Sequence, residues 1–342
     1  MTVAATRETP DIPPHAPEAG RIRRFLGPFY VTGVFWFRLH RWGVRVLPHW
    51  SLRPLIALFA TFFWLVLRNI RAAIGSNLEA VLGPCGWMER QRRIYRTLRT
   101  FSWCLSERYE RLVTDRPFTA YLDGSEHLQA LNAAGTGFLM VTAHLGAWEV
   151  GSTLATFDSP RRVHVVRESE TDPRAQEFIS ELIRRRAGDL YTTHFAEDPQ
   201  LGVHLLDALR RGEVVALQGD RPRCGGRTAE ITLFGRPYLV PVGPMALARA
   251  AAVPILPVFV FREGRRDYRC ALRPPIHVID TGDRQADLDH ALQRFAVELD
   301  WAIRHRPYQW FCFRKLWSRV EVGTDQAEQQ LGLSPQSNLV NR

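Results

Sequence analysis

The chain has 342 residues, enough for one large domain or for a core with an added amino-terminal element, and its 46% apolar content is sufficient for a substantial core. A formal charge of +10 implies an anionic partner, whether nucleic acid, acidic lipid or an acidic carrier protein; five scattered cysteines without Cys-x-x-Cys spacing argue against a disulfide framework or a zinc site. Nearly all the positive charge is arginine, the first lysine being Lys315, so charge alone does not choose among those partners.

Residues 1–20 carry Pro10, Pro13, Pro14 and Pro17 among acids and small residues and are expected to be disordered. No export signal is expected, because the first apolar run is aromatic and lacks a small-residue cleavage site. Residues 21–115 read as a helical, membrane-associating region that ends in the arginine-studded stretch Trp87–Leu112. It contains two apolar runs flanked by arginines, Leu26–Phe37 and Leu55–Leu67. The second is uncharged between Arg53 and Arg68; as a helix it covers about 20 Å, short of the roughly 30 Å hydrocarbon core of a bilayer. An interfacial anchor is the expectation, with a pair of core helices or one tilted span as the alternatives.

Residues 116–320 alternate. Strands are predicted near Phe138–Thr142, Val163–Val166, Val214–Leu217, Ile255–Phe261 and Tyr268–Leu272. Helices are predicted near Trp148–Phe157, Pro173–Ala187, Pro199–Arg211, Pro244–Ala252 and Leu288–Arg304. This is the pattern of one α/β domain with a mostly parallel central sheet flanked by helices. Residues 321–342 read as a flexible tail, and no internal repeat is present.

His144 and Glu149 follow the apolar run Gly137–Thr142, so His144 falls at a strand's carboxyl end, the edge where open α/β sheets hold their ligands. With eleven histidines, about one His-x4-Asp/Glu pair is expected by chance, so the spacing itself is weak. On a continuous helix the two side chains would lie about 140° apart; they can meet only if His144 precedes the helix and Glu149 lies in its first turn. A carboxylate on one imidazole nitrogen would then leave the other basic, whereas a buried histidine beside a helix-capping glutamate is the plain alternative. Asp220 and Arg221 follow the run Val214–Leu217, and Arg167 follows Val163–Val166. Each could face the same crevice or be, respectively, a turn pair and a solvated charge. Arg236 and Gly243 lie in Phe234–Pro244, read as a loop before a helix amino-terminus, where backbone donors and a guanidinium could cradle a phosphate. An ordinary loop is again the alternative. No Gly-x-Ser-x-Gly elbow occurs, and Gly135-Thr-Gly137 lacks the third glycine of a dinucleotide site.

Ala143-His-Leu-Gly-Ala-Trp-Glu-Val-Gly151 closely resembles the first motif of the lysophospholipid acyltransferase-like superfamily, in its late lipid A acyltransferase branch, with Ala147 where that branch has Asn. Three weaker segments resemble the same branch in the same order: Arg71–Leu78, Phe234-Gly-Arg-Pro237 with Gly243, and Pro307-Tyr-Gln-Trp310 leading to Arg314-Lys-Leu-Trp317. The resemblance implies transfer of a fatty acyl group from a thioester, on acyl carrier protein or coenzyme A, to a hydroxyl or amine of a lipid or glycolipid. No cofactor or metal is implied. His144 would be the general base and Glu149 its orienting partner, with Arg167, Asp220, Arg221, Arg236 and Gly243 binding substrate at the cytoplasmic face of the inner membrane. A basic nucleic-acid-binding protein or a catalytically silent membrane-binding relative are the competing readings; no nucleic acid is expected if the resemblance holds.

Overall fold

Phe138, Leu139 and Val141 have no exposed surface, and a strand buried on both faces belongs in the middle of a parallel sheet. A computed structural model describes residues 34–149, 161–170, 172–222 and 226–317. In it β2 (Phe138–Thr142) lies at the centre of a seven-stranded sheet. The other strands are β1 (Thr119–Asp123), β3 (Val163–Arg167), β4 (Tyr191–Phe195), β5 (Val214–Gln218), β8 (Ile255–Gly264) and β9 (Asp267–Leu272). The order is β1-β9-β8-β2-β5-β3-β4; every pairing is parallel except β8 with β9. β6 (Thr228–Leu233) and β7 (Arg236–Pro241) form a separate antiparallel hairpin.

The five predicted strands are all present. The sheet's two edges, β1 and β4, carry the mixed sequences Thr-Ala-Tyr-Leu-Asp and Tyr-Thr-Thr-His-Phe, neither fully buried. Edge strands bury one side less, so they lack the apolar run that marks a central strand. The hairpin likewise interleaves Pro, Glu and Arg with apolar residues.

Helices α1 (Val34–Val46), α2 (Leu52–Val66), α3 (Arg68–Leu82) and α4 (Trp87–Val113) precede the sheet; α5 (Ser125–Ala134), α6 (Pro173–Ala187), α7 (Leu201–Arg210), α8 (Gly243–Ala251) and α9 (Arg284–His305) connect or cover its strands. Local sequence sets several boundaries. Asp172 caps α6 by accepting from the Arg174 amide with Pro173 in the first turn, and Asp283 caps α9 by accepting from Gln285 and Ala286. On one face of the sheet α9 buries Phe295, Leu299 and Ile303 beside Leu139, Val141 and Phe259. The helix predicted at Trp148–Phe157 beyond Glu149, the tail residues 1–20 and 321–342, and most of Leu26–Phe37 lie outside the described residues.

The boundary expected near residue 115 does not separate two packing units. Glu107 of α4, 1% exposed, accepts a forked pair from Arg262 of β8 (2.9 Å each) and a hydrogen bond from the Tyr268 hydroxyl of β9. Glu110, 2% exposed, binds Arg266 in the turn between those strands. Buried carboxylates require such partners, so α4 is fixed to the sheet by its own acids. The run Leu55–Leu67 becomes α2, which buries Leu52, Ile56 and Ala60 and leaves Leu58, Phe59, Phe62, Leu65 and Val66 exposed along its other side. Among the described residues no single helix is long and apolar enough to cross a membrane; α2 and α3 reach that length only as a pair bent by 96°.

Candidate active site

β2 and β5 are parallel neighbours in register, Thr142 opposite Gln218. His144 and Asp220 each lie two residues beyond those partners, so the two side chains emerge level with one another at the sheet's carboxyl edge. Nδ1 of His144 is 2.7 Å from Oδ1 of Asp220. Asp220 has no exposed surface, while the His144 side chain is 28% exposed. Burial alone pushes the Asp220 carboxyl up, but the charge and hydrogen bond of His144, with Arg221 beside them, outweigh it and hold Asp220 at about 2. An ionised Asp220 accepts the Nδ1 proton, which fixes the tautomer and leaves Nε2 as the basic nitrogen. Arg221 Nε lies 3.0 Å from the same Nδ1 and 3.8 Å from Asp220. Since the Nδ1 proton points to Asp220, Arg221 acts there as a nearby positive charge.

The loop carrying His144 is clamped from both sides. Gly146 donates to the Gln309 carbonyl, Ala147 donates to the Val260 carbonyl, and Phe311 donates to the His144 carbonyl. Gly146 has φ +60°, and a Cβ there would run into the Val260 carbonyl oxygen. Only glycine fits both demands. Gln309 adds a second tie: its Nε2 donates to the Arg262 carbonyl, and its Oε1 accepts from the Arg262 amide.

Three of the expected site residues take other positions. Glu149 was expected to orient His144; its carboxylate instead holds Arg108 Nε at 2.8 Å and Arg167 Nη2 at 3.3 Å, and Asp220 is the carboxylate on the imidazole. Asp220 was expected to bind substrate; fully buried behind His144, it can reach substrate only through that ring. Arg236 was expected in a loop at a helix amino-terminus; it is the exposed first residue of β7, and Gly243 begins α8 beyond the strand's end. Arg167, at the end of β3, and Arg221 do lie beside the acidic groups of the site. Arg108, in the middle of α4, was not singled out. Nothing distinguishes it locally from the other arginines of that helix.

The four segments that carried the resemblance converge. Asn77 donates to the carbonyls of Cys312 (3.1 Å) and Arg314 (2.9 Å) and accepts from the Leu316 amide. Trp317 Nε1 donates to the Pro237 carbonyl, and Phe234 packs edge-on against Trp310 and Trp317. Tyr238, on the inner face of the hairpin with Arg236, donates its hydroxyl to the Asp220 carbonyl at 2.6 Å. Asp220 is thus positioned by the hairpin, and the hairpin by the chain's last described residues. Several arginines are paired with acids of the fold, Arg90 with Glu79, Arg262 with Glu107, Arg266 with Glu110, Arg108 with Glu149 and Arg249 with Asp287.

A family model described as bacterial lipid A biosynthesis acyltransferase matches residues 21–319. Phosphatidylinositol mannoside acyltransferases from two strains of Mycobacterium tuberculosis, CDC 1551 / Oshkosh and ATCC 25618 / H37Rv, are each 26% identical over 298 residues, 84% of this chain and 89% of theirs. The crystal structure of the 1-acyl-sn-glycerophosphate acyltransferase PlsC from Thermotoga maritima shares 15% identity, with 73% of this chain and 97% of that one covered. Its TM-score of 0.33 is too low to argue from.

Proposed function

Because the chain belongs to the bacterial lipid A biosynthesis acyltransferase family and is an acyltransferase of lipid biosynthesis, we propose that it moves a fatty acyl group from a thioester on acyl carrier protein or coenzyme A to a hydroxyl or amine of a lipid or glycolipid, with His144 as general base and Asp220 as its orienting carboxylate. The observation that carries this reading is the buried ionised Asp220 on Nδ1 of a partly exposed His144 at the carboxyl edge of the sheet. An alcohol is a weak nucleophile at neutral pH. Nε2 takes its proton as the oxygen attacks the thioester carbonyl, and the imidazolium that forms is stabilised by Asp220. The tetrahedral intermediate collapses by breaking the carbon–sulfur bond, and the departing thiolate recovers the proton from Nε2. No covalent enzyme intermediate is needed. Arg221 places positive charge beside the dyad, suited to the oxyanion or to an acceptor phosphate. The names of the mycobacterial relatives favour a phosphorylated glycolipid as acceptor.

The reading places the enzyme on the cytoplasmic face of the plasma membrane, held by the outward apolar side of α2, where Leu58, Phe62 and Leu65 are each more than half exposed. A patch of this kind on a water-facing helix is costly unless it meets lipid or protein. The decisive test is a purified assay of thiol release from acyl-coenzyme A and acyl carrier protein in the presence of a phosphoglycolipid fraction. Acceptor-dependent release must be lost in His144→Ala, and product mass must rise by one acyl group; acceptor-dependent turnover that survives His144→Ala would sink the assignment.

A further inference from the structure

At the elbow between α2 and α3 lies a cavity of about 320 Å³, remote in sequence from the dyad and lined by Trp64, Arg68, Arg71, Trp87, Arg90 and Gln91 among others. Its charge is unbalanced. Among the described residues neither Arg68 nor Arg71 has a carboxylate partner; Arg71 lies instead over the Trp64 ring, 5.0 Å from its centroid. Arg90 is tethered by Glu79 at 2.7 Å and lies against Gly75, where any Cβ would strike its guanidinium. Three guanidiniums therefore face one carboxylate. Trp64, whose ring Arg71 covers, lines the same space. The first turn of α3, which supplies Arg68 and Arg71, has no side-chain cap and no acidic residue.

The border of the cavity is apolar. Leu65 and Val66, 58% and 50% exposed, end α2 just before the bend, and Trp87 and Met88, 72% and 77% exposed, open α4. A free anion would gain nothing from such a border, but a phosphate joined to acyl chains would. We propose that this elbow binds the phosphate of an anionic membrane phospholipid, with the guanidiniums of Arg68 and Arg71 as its donors. The inference rests on the proposed membrane association.

The test compares full-length protein on vesicles of phosphatidylcholine with and without phosphatidic acid. Loss of two charge-assisted contacts should weaken binding to the anionic vesicles by about tenfold or more in Arg68→Ala/Arg71→Ala and bring it down to the level seen on neutral vesicles. Arg184→Ala/Arg185→Ala removes the same charge from two α6 arginines already paired with Glu181 and should bind as wild type. If the Arg68/Arg71 pair fails to fold, Arg68→Ala and Arg71→Ala, each made singly, carry the comparison. Equal losses in both arginine pairs, or no loss in the elbow variants, would overturn the site in favour of diffuse charge. Titration with soluble dihexanoyl phosphatidic acid separates this inference from the membrane reading. Wild type that binds it but no vesicle refutes membrane docking and leaves the phosphate contact standing, whereas wild type that binds vesicles but not this lipid refutes the contact. Inorganic phosphate binding as tightly as the soluble lipid would make the ligand a free anion and overturn the assignment to lipid.

Discussion

Nδ1 of His144 and Oδ1 of Asp220 are 2.7 Å apart although 76 residues separate them in the chain. The contact exists because β2 and β5 are parallel neighbours in register and each residue stands two positions past its strand's last partner. Asp220 is held in place by Tyr238 through its own carbonyl, which couples the dyad to the β6–β7 hairpin.

Asp220→Asn keeps the shape of the pair but removes the counter-charge for the imidazolium. Turnover should fall by about 10²–10⁴ with little change in the Michaelis constant for the acyl donor. Glu149→Gln should behave differently, lowering the melting temperature as well, because it leaves Arg108 and Arg167 partly buried without their shared carboxylate. Steady-state kinetics alongside thermal melts on both variants distinguish the two carboxylates; if Glu149→Gln selectively lost turnover while Asp220→Asn did not, Glu149 would be the orienting carboxylate and Asp220 a structural one.

Gly146→Ala should be among the most damaging single-methyl changes in the molecule. The added Cβ meets the Val260 carbonyl and the Gln309 side chain at a positive φ, and either the β8 backbone or the His144 loop must give way. A loss of more than about 2 kcal/mol in stability, or a folded variant with His144 displaced and inactive, is expected from the combined strain and overlap. Denaturant unfolding together with the acyl-transfer assay checks it. Wild-type values in both would show that the clamp is loose.

Arg236 shares the inner face of the hairpin with Tyr238 yet is itself exposed. Arg236→Glu should therefore raise the Michaelis constant of one phosphorylated substrate while barely changing the melting temperature, since an exposed arginine contributes little to folding. Arg236→Lys should fall between, keeping the charge and losing the fork. Unchanged kinetics toward donor and acceptor in Arg236→Glu would make it a surface residue.

Within β3, His164 Nε2 lies 2.8 Å from Glu213 and its Nδ1 lies 2.9 Å from His194 Nε2 of β4. Burial lowers both histidines below their usual 6.5, against the opposing pull of Glu213 on His164. Above 6.5 folded and unfolded chains are equally unprotonated, and the contribution to stability is full. As pH falls below 6.5 the unfolded chain takes up protons that the folded one resists, so stability is lost on acidification. The melting temperature should drop by a few degrees from pH 7.5 to pH 5.5, and by less in His164→Gln. An identical drop in the variant would place the sensitivity elsewhere.

The α/β class, the five inner strands and the position of His144 were legible in the sequence because they rest on local properties: apolar runs long enough for a buried strand, and the abrupt end of one of them before Ala143-His144. The resemblance of the flanking words supplied the chemistry in the same local way. The edge strands β1 and β4 were not legible, since solvent on one side relaxes the pattern that identifies a strand. Nor was the partner of His144. Glu149 stood closer in sequence, but which carboxylate reaches the imidazole depends on which strand lies beside β2. That choice is made by packing across the whole sheet, with α9 and the hairpin beneath it. Arg108 was hidden for the same reason: one arginine among many along α4, it acquires a role only when the fold lays that helix against the end of β3 and brings Glu149 between two guanidiniums. The sequence by itself determined the inner strands and the place of the candidate histidine, and tertiary structure alone decided the charges that surround it, because electrostatic partnership follows distance in space and not along the chain.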